Sequence, residues 1–130
     1  MENTLQLIQK DHFANHNQMR VIEVGEGTAK TQMTVTGNHL NGLGTVQGGA
    51  LFTLADLAFA AASNSREKIA VALDASINFI KAVSSGTLTA TAREIDLKRT
   101  IGIYCVEIRN EADELIATFQ STAYRKEPKL

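Results

Sequence analysis

One acidic residue on an apolar helix constrains this chain more than any other feature. Residues 31–65 carry a single formal charge. It belongs to Asp56, which lies among Leu, Ala and Phe residues at helical spacing. Five glycines precede it between positions 37 and 49. An unpaired buried charge costs several kcal/mol, so a carboxylate in this setting needs a reason. The function of the chain therefore depends on what Asp56 does.

The helix that carries Asp56 is predicted to run from about Gly48 to Asn64. It is apolar nearly all round, with two stripes of side chains: Leu51, Leu54, Ala55, Ala58 and Ala62 in one, and Phe52, Asp56, Phe59 and Ser63 in the other. A helix of this kind must be almost wholly enclosed. Because one small sheet cannot cover it on every side, we expect a second subunit to complete the enclosure.

The segments before this helix predict a short helix followed by a hairpin. Residues 3–16 are spaced for one helical face that carries Leu5, Ile8 and Phe13. Residues 19–24 are β-like, and a glycine turn leads into residues 28–36, where apolar and polar residues alternate with the period of a half-buried strand.

The segments after this helix predict four strands between Ile69 and Tyr124. The first alternates cleanly, with one face formed by Ile69, Val71, Leu73, Ala75, Ile77 and Phe79. The connections are short, and parallel neighbours need long crossovers, so the strands must be mostly antiparallel. We predict a single α+β domain over residues 1–130, with about six antiparallel strands curled round one long helix.

Composition excludes several classes of function. The formal net charge of -1 provides no basic field for nucleic acid or an acidic membrane. The apolar run at residues 50–62 is too short to span a bilayer, and residues 1–12 lack the layout of a signal peptide. The single Cys105 cannot form an intrachain disulfide and favours a reducing compartment. We expect a cytoplasmic protein that binds neither nucleic acid nor membrane.

Three roles for Asp56 are open on the residues alone: a structural hydrogen-bond partner, a metal ligand, or a general base or nucleophile with a tuned pKa. Metal is disfavoured because the chain has no HxH or CxxC spacing that would assemble a ligand set with Asp56. Gly48 and Gly49 begin the helix, where free N–H groups favour negative charge and could stabilise an oxyanion. They could equally serve a tight loop that enters a helix.

The central block carries a resemblance. The segment NGLGTVQGGALFTLADLAFAAASNS, followed by AVALDASINFIKA, resembles the hotdog-fold acyl-CoA thioesterases of the phenylacetic-acid-degradation (PaaI-like) group. The similarity extends from about Val21 to Arg125 and agrees with the sheet-round-helix architecture. It implies a hotdog fold and hydrolysis of an acyl-CoA thioester, with no cofactor because CoA is part of the substrate.

The resemblance also implies roles for individual residues. Asp56 matches the base or nucleophile of the family, Gly48 matches the glycine whose N–H binds the thioester carbonyl, and Asn41 matches an orienting residue. Family sites lie across a dimer interface, so Asp56 is expected to face Asn41 and Gly48 of the other subunit. A homodimer, assembled further as a dimer of dimers, follows from the same resemblance.

One position departs from the family pattern. Gln47 stands where family members usually have His before the two glycines. Glutamine donates a hydrogen bond but does not titrate near neutral pH, so the geometry is expected to be kept and the activity weakened or redirected. His39 is expected to be an exposed loop residue and no substitute.

Contacts to CoA are expected at the ends of the later strands. By resemblance they fall to Asn78, Lys81, Arg99 and Thr100, although an ordinary solvated surface is the alternative for Lys81 and Arg99. The phenylalanines Phe52, Phe59 and Phe79 are expected in the core, with an acyl-pocket wall as the alternative. Cys105 is expected to be a buried small apolar residue.

The sequence therefore predicts an oligomeric hotdog thioesterase that hydrolyses an aromatic or a short- to medium-chain acyl-CoA. Asp56 would be base or nucleophile, with the Gly48 N–H as oxyanion donor and Asn41 and Gln47 as orienting groups. Because of Gln47, a non-catalytic acyl-CoA-binding or structural hotdog protein is the alternative. A hotdog dehydratase is less favoured, since such enzymes usually pair a His with an acid.

Overall fold

All six strands form one antiparallel sheet against a single long helix. The computed structural model describes residues 4–127. Its elements in chain order are α1 (Thr4–Ile8), α2 (His12–His16), β1 (Met19–Gly25), β2 (Thr28–Thr34), a 3-10 turn (Gly37–His39), α3 (Gly48–Ser63), β3 (Ile69–Phe79), β4 (Thr87–Leu97), β5 (Ile101–Arg109) and β6 (Leu115–Lys126). The strand order is β1-β2-β4-β5-β6-β3. The predicted α+β architecture is confirmed.

Small side chains seat α3 closely on the sheet. Leu54, Ala55, Ala58, Ala61 and Ala62 are each 0% exposed. The buried Thr31 on β2 donates its hydroxyl hydrogen to the Leu54 carbonyl at 2.8 Å, so the strand is bonded to the helix as well as packed on it. Alanine allows this approach because its side chain takes up little space and loses no rotamer entropy on burial.

Asn64 fixes the end of α3 to the start of β3. Its amide nitrogen donates to the carbonyls of Ala60 at 2.9 Å and Ala70 at 3.1 Å, and its side-chain oxygen accepts from the Ala70 N–H at 2.9 Å. Asn64 is 4% exposed. One buried amide thus satisfies three backbone groups at the point where the chain leaves the helix.

The N-terminal segment differs from its prediction. The predicted start at Asn3 lies outside the described residues, and the single helix is wrong because the chain forms two short helices separated near Asp11. Asp11 caps α2 by accepting from the Ala14 N–H at 3.0 Å. The break separates the apolar side chains of this segment: Phe13 is 65% exposed, whereas Leu5 and Ile8 pack against the core.

Strand β3 is an edge strand with apolar side chains in solvent. It pairs with β6 along one side, with a register shift between Ala72 and Asp74. Val71, Leu73 and Phe79 are 43%, 58% and 57% exposed, so the prediction of Phe79 as a core residue is wrong. Phe59 is buried and Phe52 packs partly against the core, as predicted. None of the helices within residues 4–127 is long and apolar enough to cross a membrane.

Replacing Asn64 with Ala is expected to destabilise the fold by about 2–3 kcal/mol, because the Ala70 N–H and carbonyl lose a buried partner. Chemical denaturation measures the change. The matched control is Asn17→Ala, since Asn17 also ends a helix and donates its amide to a carbonyl four residues earlier, at 2.8 Å, but in an exposed position. A loss in the control as large as that in Asn64→Ala would contradict the role given to the buried bonds.

Candidate functional site

The N-terminus of α3 presents one free backbone donor. Gln47 is the N-cap, and its side-chain oxygen accepts from the Gly49 N–H at 2.5 Å. The Gln47 carbonyl accepts from the N–H groups of Ala50 at 2.9 Å and Leu51 at 3.3 Å. Within residues 4–127 the Gly48 N–H has no acceptor. It is therefore available to a carbonyl oxygen or an oxyanion, at the helix end where the dipole favours negative charge.

Gly48 lies directly under an aromatic ring. A Cβ atom built on Gly48 would lie 2.9 Å from Cζ of Phe79 at the end of β3. This contact is too close for a side chain unless the ring moves, so the approach of the ring favours glycine here. Phe79 thus packs on the first turn of α3 while more than half of it remains in solvent.

Asn41 holds the loop that leads into α3. Its side-chain oxygen accepts from the N–H groups of Leu43 at 2.9 Å and Thr45 at 3.2 Å, and its amide nitrogen donates to the Thr45 hydroxyl at 3.0 Å. Gly44 completes this turn with φ +81°, a conformation that favours glycine. The side chain is half-buried, so within one protomer its hydrogen bonds shape the loop.

His39 is buried, and the expectation of an exposed loop residue is wrong. It is 2% exposed. Its Nδ1 lies 2.9 Å from the Thr36 N–H, which donates to it, so Nε2 carries the proton and donates to the Asn17 carbonyl at 2.7 Å. The backbone carbonyl of His39 accepts from the Gln47 N–H at 2.8 Å. His39 therefore connects the glycine-rich segment of residues 37–49, here called the glycine loop, to α2 and to the cap of α3. Its sequence neighbours do not reveal this long-range role.

Asp56 lies on α3, on a part of the helix that the rest of the chain only partly covers. It is half-buried, and its carboxylate has no hydrogen-bond or ion-pair partner among the described residues. Burial raises the pKa of Asp56 above its usual value, and the negative charge of Asp11 at the start of α2 raises it further. Sequence reasoning missed Asp11, because only the packing of α2 near α3 brings the two carboxylates close.

Asp56 and Gly48 do not form one site within a protomer. They lie eight residues apart on the same helix, which separates them by about 12 Å along its axis. A thioester bound at one Gly48 therefore lies too far from Asp56 of the same chain for direct attack. Each helix supplies half of the predicted constellation.

The residues expected to contact CoA lie at two ends of the sheet. Asn78 pairs with Thr118 on β6, whereas Ile101, next to Thr100, pairs with Tyr124. Six residues along a strand correspond to about 20 Å. Lys81 lies at the Asn78 end and forms an ion pair with Glu114, while Arg99 and Thr100 lie at the other end. One protomer does not bring the four residues together.

The site carries no metal-ligand cluster in the described part of the chain, where three or more His, Cys, Asp or Glu side chains nowhere gather to hold an ion. Cys105 is half-buried on β5. The functional groups at hand are thus a carboxylate with a raised pKa, a free helix N–H, and two side-chain amides. Groups of these kinds can perform acyl transfer when brought together, with a carboxylate as base or nucleophile and an N–H as oxyanion donor.

The chain belongs to the thioesterase superfamily. The model of that family matches residues 43–117, which include the residues directly before α3, α3 itself, and β3 to the start of β6. The predicted PaaI-like hotdog thioesterase is confirmed by two further comparisons.

The relatives include named PaaI proteins. The chain is 38% identical to the acyl-coenzyme A thioesterase PaaI of Escherichia coli strain K12 over 125 residues, which cover 95% of this chain and 89% of the relative. The structure of the E. coli PaaI protein from the phenylacetic acid degradation operon superposes with a TM-score of 0.89 at 37% identity, covering 95% of this chain and 90% of the other. A mutant of the phenylacetic acid degradation protein PaaI from Thermus thermophilus superposes with a TM-score of 0.84 at 35% identity, covering 88% of this chain and 99% of the other.

Removal of the Asp11 charge is expected to lower the pKa of Asp56. The Asp11→Asn variant keeps the cap on α2, since Asn caps helices as well as Asp does, but it removes the negative charge that disfavours ionisation of Asp56. A base must be ionised to act, so the acid limb of the activity profile should move to lower pH in the variant. A carboxyl-carbon NMR titration of Asp56 measures the same shift without relying on activity.

The matched control is Asp113→Asn, another removal of an exposed Asp charge. Asp113 lies in the turn between β5 and β6 with φ 63°, a conformation that Asn also adopts. Its charge does not contribute to the pKa shift of Asp56. If the pKa of Asp56 were the same in wild type and Asp11→Asn, or if Asp113→Asn lowered it equally, Asp11 would have no specific effect on the pKa of Asp56.

Proposed function

We propose that the protein hydrolyses the thioester of an aromatic or a short- to medium-chain acyl-CoA to the free acid and CoA. The observation that supports this most directly is the presence of complementary groups on one helix: within residues 4–127, an N–H without an acceptor at Gly48 and a carboxylate without a partner at Asp56. Neither group is committed to a hydrogen bond within the described chain, so both are available to a substrate.

Each group has a distinct part in the reaction. The Gly48 N–H binds the thioester carbonyl oxygen and stabilises the negative charge that develops on it. In one route Asp56 attacks the carbonyl carbon, the CoA thiolate leaves, and water hydrolyses the resulting mixed anhydride to release the acid and restore Asp56. In the other route Asp56 removes a proton from the attacking water, the tetrahedral intermediate expels the CoA thiolate, and the proton passes to that thiolate or to solvent. Asn41 and Gln47 orient the water and the substrate. No resident cofactor is needed, because CoA arrives and departs with the substrate.

A homodimer through β3 explains how the two halves of the site meet. The other sheet edge, β1, carries the charged Arg20 and Glu23, which oppose pairing with another strand. Along β3, apart from Asp74, the exposed positions are uncharged and include Val71, Leu73 and Phe79. A long apolar edge of this kind is a template for pairing.

Antiparallel pairing of two β3 strands also sets the direction of the helices. Gly48 lies beside Phe79 at the end of β3, and Asn64 bonds to Ala70 near its start, so α3 runs opposite to β3. The two-fold axis that pairs the strands therefore runs the two α3 helices in opposite directions. In the pairing register that we propose, the N-terminus of one helix, with Gly48, approaches Asp56 of the other.

The same two-fold operation reunites the expected CoA contacts. Lys81 and Asn78 lie at one end of β3, and Arg99 and Thr100 lie level with the other end. Antiparallel pairing brings the first pair from one subunit toward the second pair from its partner. Cations at these positions suit the phosphates of CoA. A dimer of dimers, in the cytoplasm, is the assembly that we propose.

Gln47 favours a second candidate function. Its side-chain oxygen is committed to the Gly49 N–H, and glutamine lacks the titratable ring of the usual His. A hotdog protein that binds acyl-CoA without hydrolysing it would keep the same fold and the same free Gly48 N–H. Turnover of a thioester that is lost on changing Asp56 separates the two functions.

Mixed dimers test the site across the interface. Asp56→Asn is expected to lower kcat/KM for acyl-CoA by about 100-fold or more, as loss of a general base does. Asn41→Ala is expected to lower it by about 100-fold as well, because the water or the substrate loses a group that orients it. When the two variants are denatured and refolded together in equal amounts, roughly half of the dimers are heterodimers. Each heterodimer has one site with both groups intact, so activity should return to roughly a quarter of the wild-type value.

The mixing experiment has two clear negative results. If each chain carried a complete site, every site in the mixture would hold one mutation and activity would stay at the level of the single variants. If Asp56→Asn alone hydrolysed acyl-CoA as fast as wild type, the catalytic role of Asp56 would fail. The same variant refolded with itself controls for the refolding step.

Charge on β3 is expected to prevent the dimer. Val71→Lys places a cation on the pairing edge, and the protein should elute as a monomer with little thioesterase activity, since a charged side chain on an edge strand opposes pairing with another strand. Light scattering coupled to size exclusion measures the mass. Ile95→Lys is the control, because Ile95 on β4 is exposed to a similar extent, 47% against 43% for Val71. A dimeric Val71→Lys protein would place the interface elsewhere.

A further inference from the structure

A cavity of about 430 Å³ lies between α2 and the N-terminal half of α3. Its lining includes the buried Met19 and His39, the partly buried Leu40 and Phe52, and the exposed Phe13 of α2. The volume is within the range of about 300–1,000 Å³ that is usual for small-molecule sites, and a mainly apolar lining with a few polar groups is typical of them.

The cavity opens beside the free donor of α3. Gln47 and Gly49 line it, and they flank Gly48 on both sides. A thioester whose carbonyl oxygen accepts from the Gly48 N–H has its acyl carbons one bond away from that carbonyl, at the mouth of the cavity. The CoA portion leaves the carbonyl through sulfur in another direction. The position of the cavity thus fits the acyl half of the substrate.

The lining also restricts the chemistry of the occupant. Among the described residues, no Lys, Arg, Asp or Glu belongs to the lining, whose polar side chains are amides, a hydroxyl and the His39 ring. Both ring nitrogens of His39 are already engaged, Nδ1 by the Thr36 N–H and Nε2 by the Asn17 carbonyl. No described cation in the lining can pair with a second carboxylate, and burial of an unpaired charge is costly.

We propose that this cavity is the acyl site, that it takes an uncharged aromatic or aliphatic acyl group, and that Phe13 sets its preference for larger groups. This inference rests on the proposed function, because it names the substrate of the same reaction. Phe13 suits the role because it is 65% exposed, more than the exposed Phe79 at 57% and Tyr124 at 39%. An apolar ligand below it would give the ring a surface to cover.

The position of Phe13 is held from within the cavity lining. The His39 Nε2–H bonds to the carbonyl of Asn17 at 2.7 Å, and the Asn17 amide nitrogen bonds to the Phe13 carbonyl at 2.8 Å. These two bonds connect the five-residue helix α2 to the glycine loop. A short helix would fray alone, so this anchoring gives the cover over the cavity a defined place beside α3.

The test compares acyl groups of similar length with and without a terminal charge. Wild-type protein should hydrolyse hexanoyl-CoA and benzoyl-CoA with a kcat/KM at least about tenfold above that for glutaryl-CoA or acetyl-CoA, in line with the roughly 10–200-fold that apolar pockets discriminate. Phe13→Ala should lower the ratio of kcat/KM for hexanoyl-CoA to kcat/KM for acetyl-CoA about tenfold. Leu7→Ala, which removes an apolar side chain that is 56% exposed on α1, should leave the ratio unchanged.

A binding measurement in the Asp56→Asn background makes the test independent of turnover. Addition of Phe13→Ala should weaken the binding of hexanoyl-CoA about tenfold and leave that of glutaryl-CoA unchanged, whereas addition of Leu7→Ala should change neither. Unchanged ratios and unchanged dissociation constants in the Phe13→Ala variants, or glutaryl-CoA as the preferred substrate, would overturn the acyl-site proposal. If instead Asp56→Asn left hydrolysis of the whole panel intact, the proposed function would fail, which is a separate result.

Discussion

The rest of the structure depends on one constraint: α3 is apolar nearly all round, but the sheet covers only one side of it. On the covered side the alanines at positions 55, 58, 61 and 62 are 0% exposed, and Thr31 bonds to the helix backbone. On the other side Asp56 is only half-buried. Burial of the remaining apolar surface favours a second copy of the chain, since removal of apolar area from water is the main driving force for association. The exposed edge at β3 provides the place where that copy can pair.

The uncovered side of α3 also carries Asp56, the base or nucleophile that we propose. Burial raises the pKa of Asp56, so the folded state binds its proton more tightly than the unfolded state does. For an acid with a raised pKa the sign is unfavourable: stability is greatest below the unfolded pKa and falls as pH rises through the window between the two pKa values. Asp56 therefore costs the fold stability at neutral pH and receives no hydrogen bond in return within the described residues of one protomer. In the proposed mechanism the ionised and unpaired Asp56 carboxylate is the reactive form, so the fold would give up stability for chemistry.

Local patterns predicted most of the fold because they report local forces. The period of two found the hairpin and the later strands, and the apolar spacing with two glycines placed α3 to within a residue of its bounds. The errors arose where a distant part of the chain decides the environment. Phe79 alternates like a core residue, but β3 has a neighbour on one side only, so its ring rests on Gly48 in partial solvent. His39 is polar and lies in a glycine-rich loop, which favours a surface position. It is nevertheless buried, because the carbonyl of Asn17 at the end of α2 accepts a hydrogen bond from its ring. The proximity of Asp11 to Asp56 is likewise a product of tertiary packing.

Gln47 shows how the site can keep its geometry while its proton chemistry changes. Gln47 is the N-cap: its side-chain oxygen accepts from the Gly49 N–H, and its carbonyl accepts from the N–H groups of the next two residues, 50 and 51. Among the described residues this leaves the Gly48 N–H as the free donor at the helix end. A histidine at this position could carry a proton near neutral pH, but a glutamine cannot. In the proposed mechanism the oxyanion donor is retained, and proton transfer falls to Asp56. The negative charge of Asp11 adds to the effect of burial on the pKa of Asp56, and so raises the pH above which the proposed base is ionised.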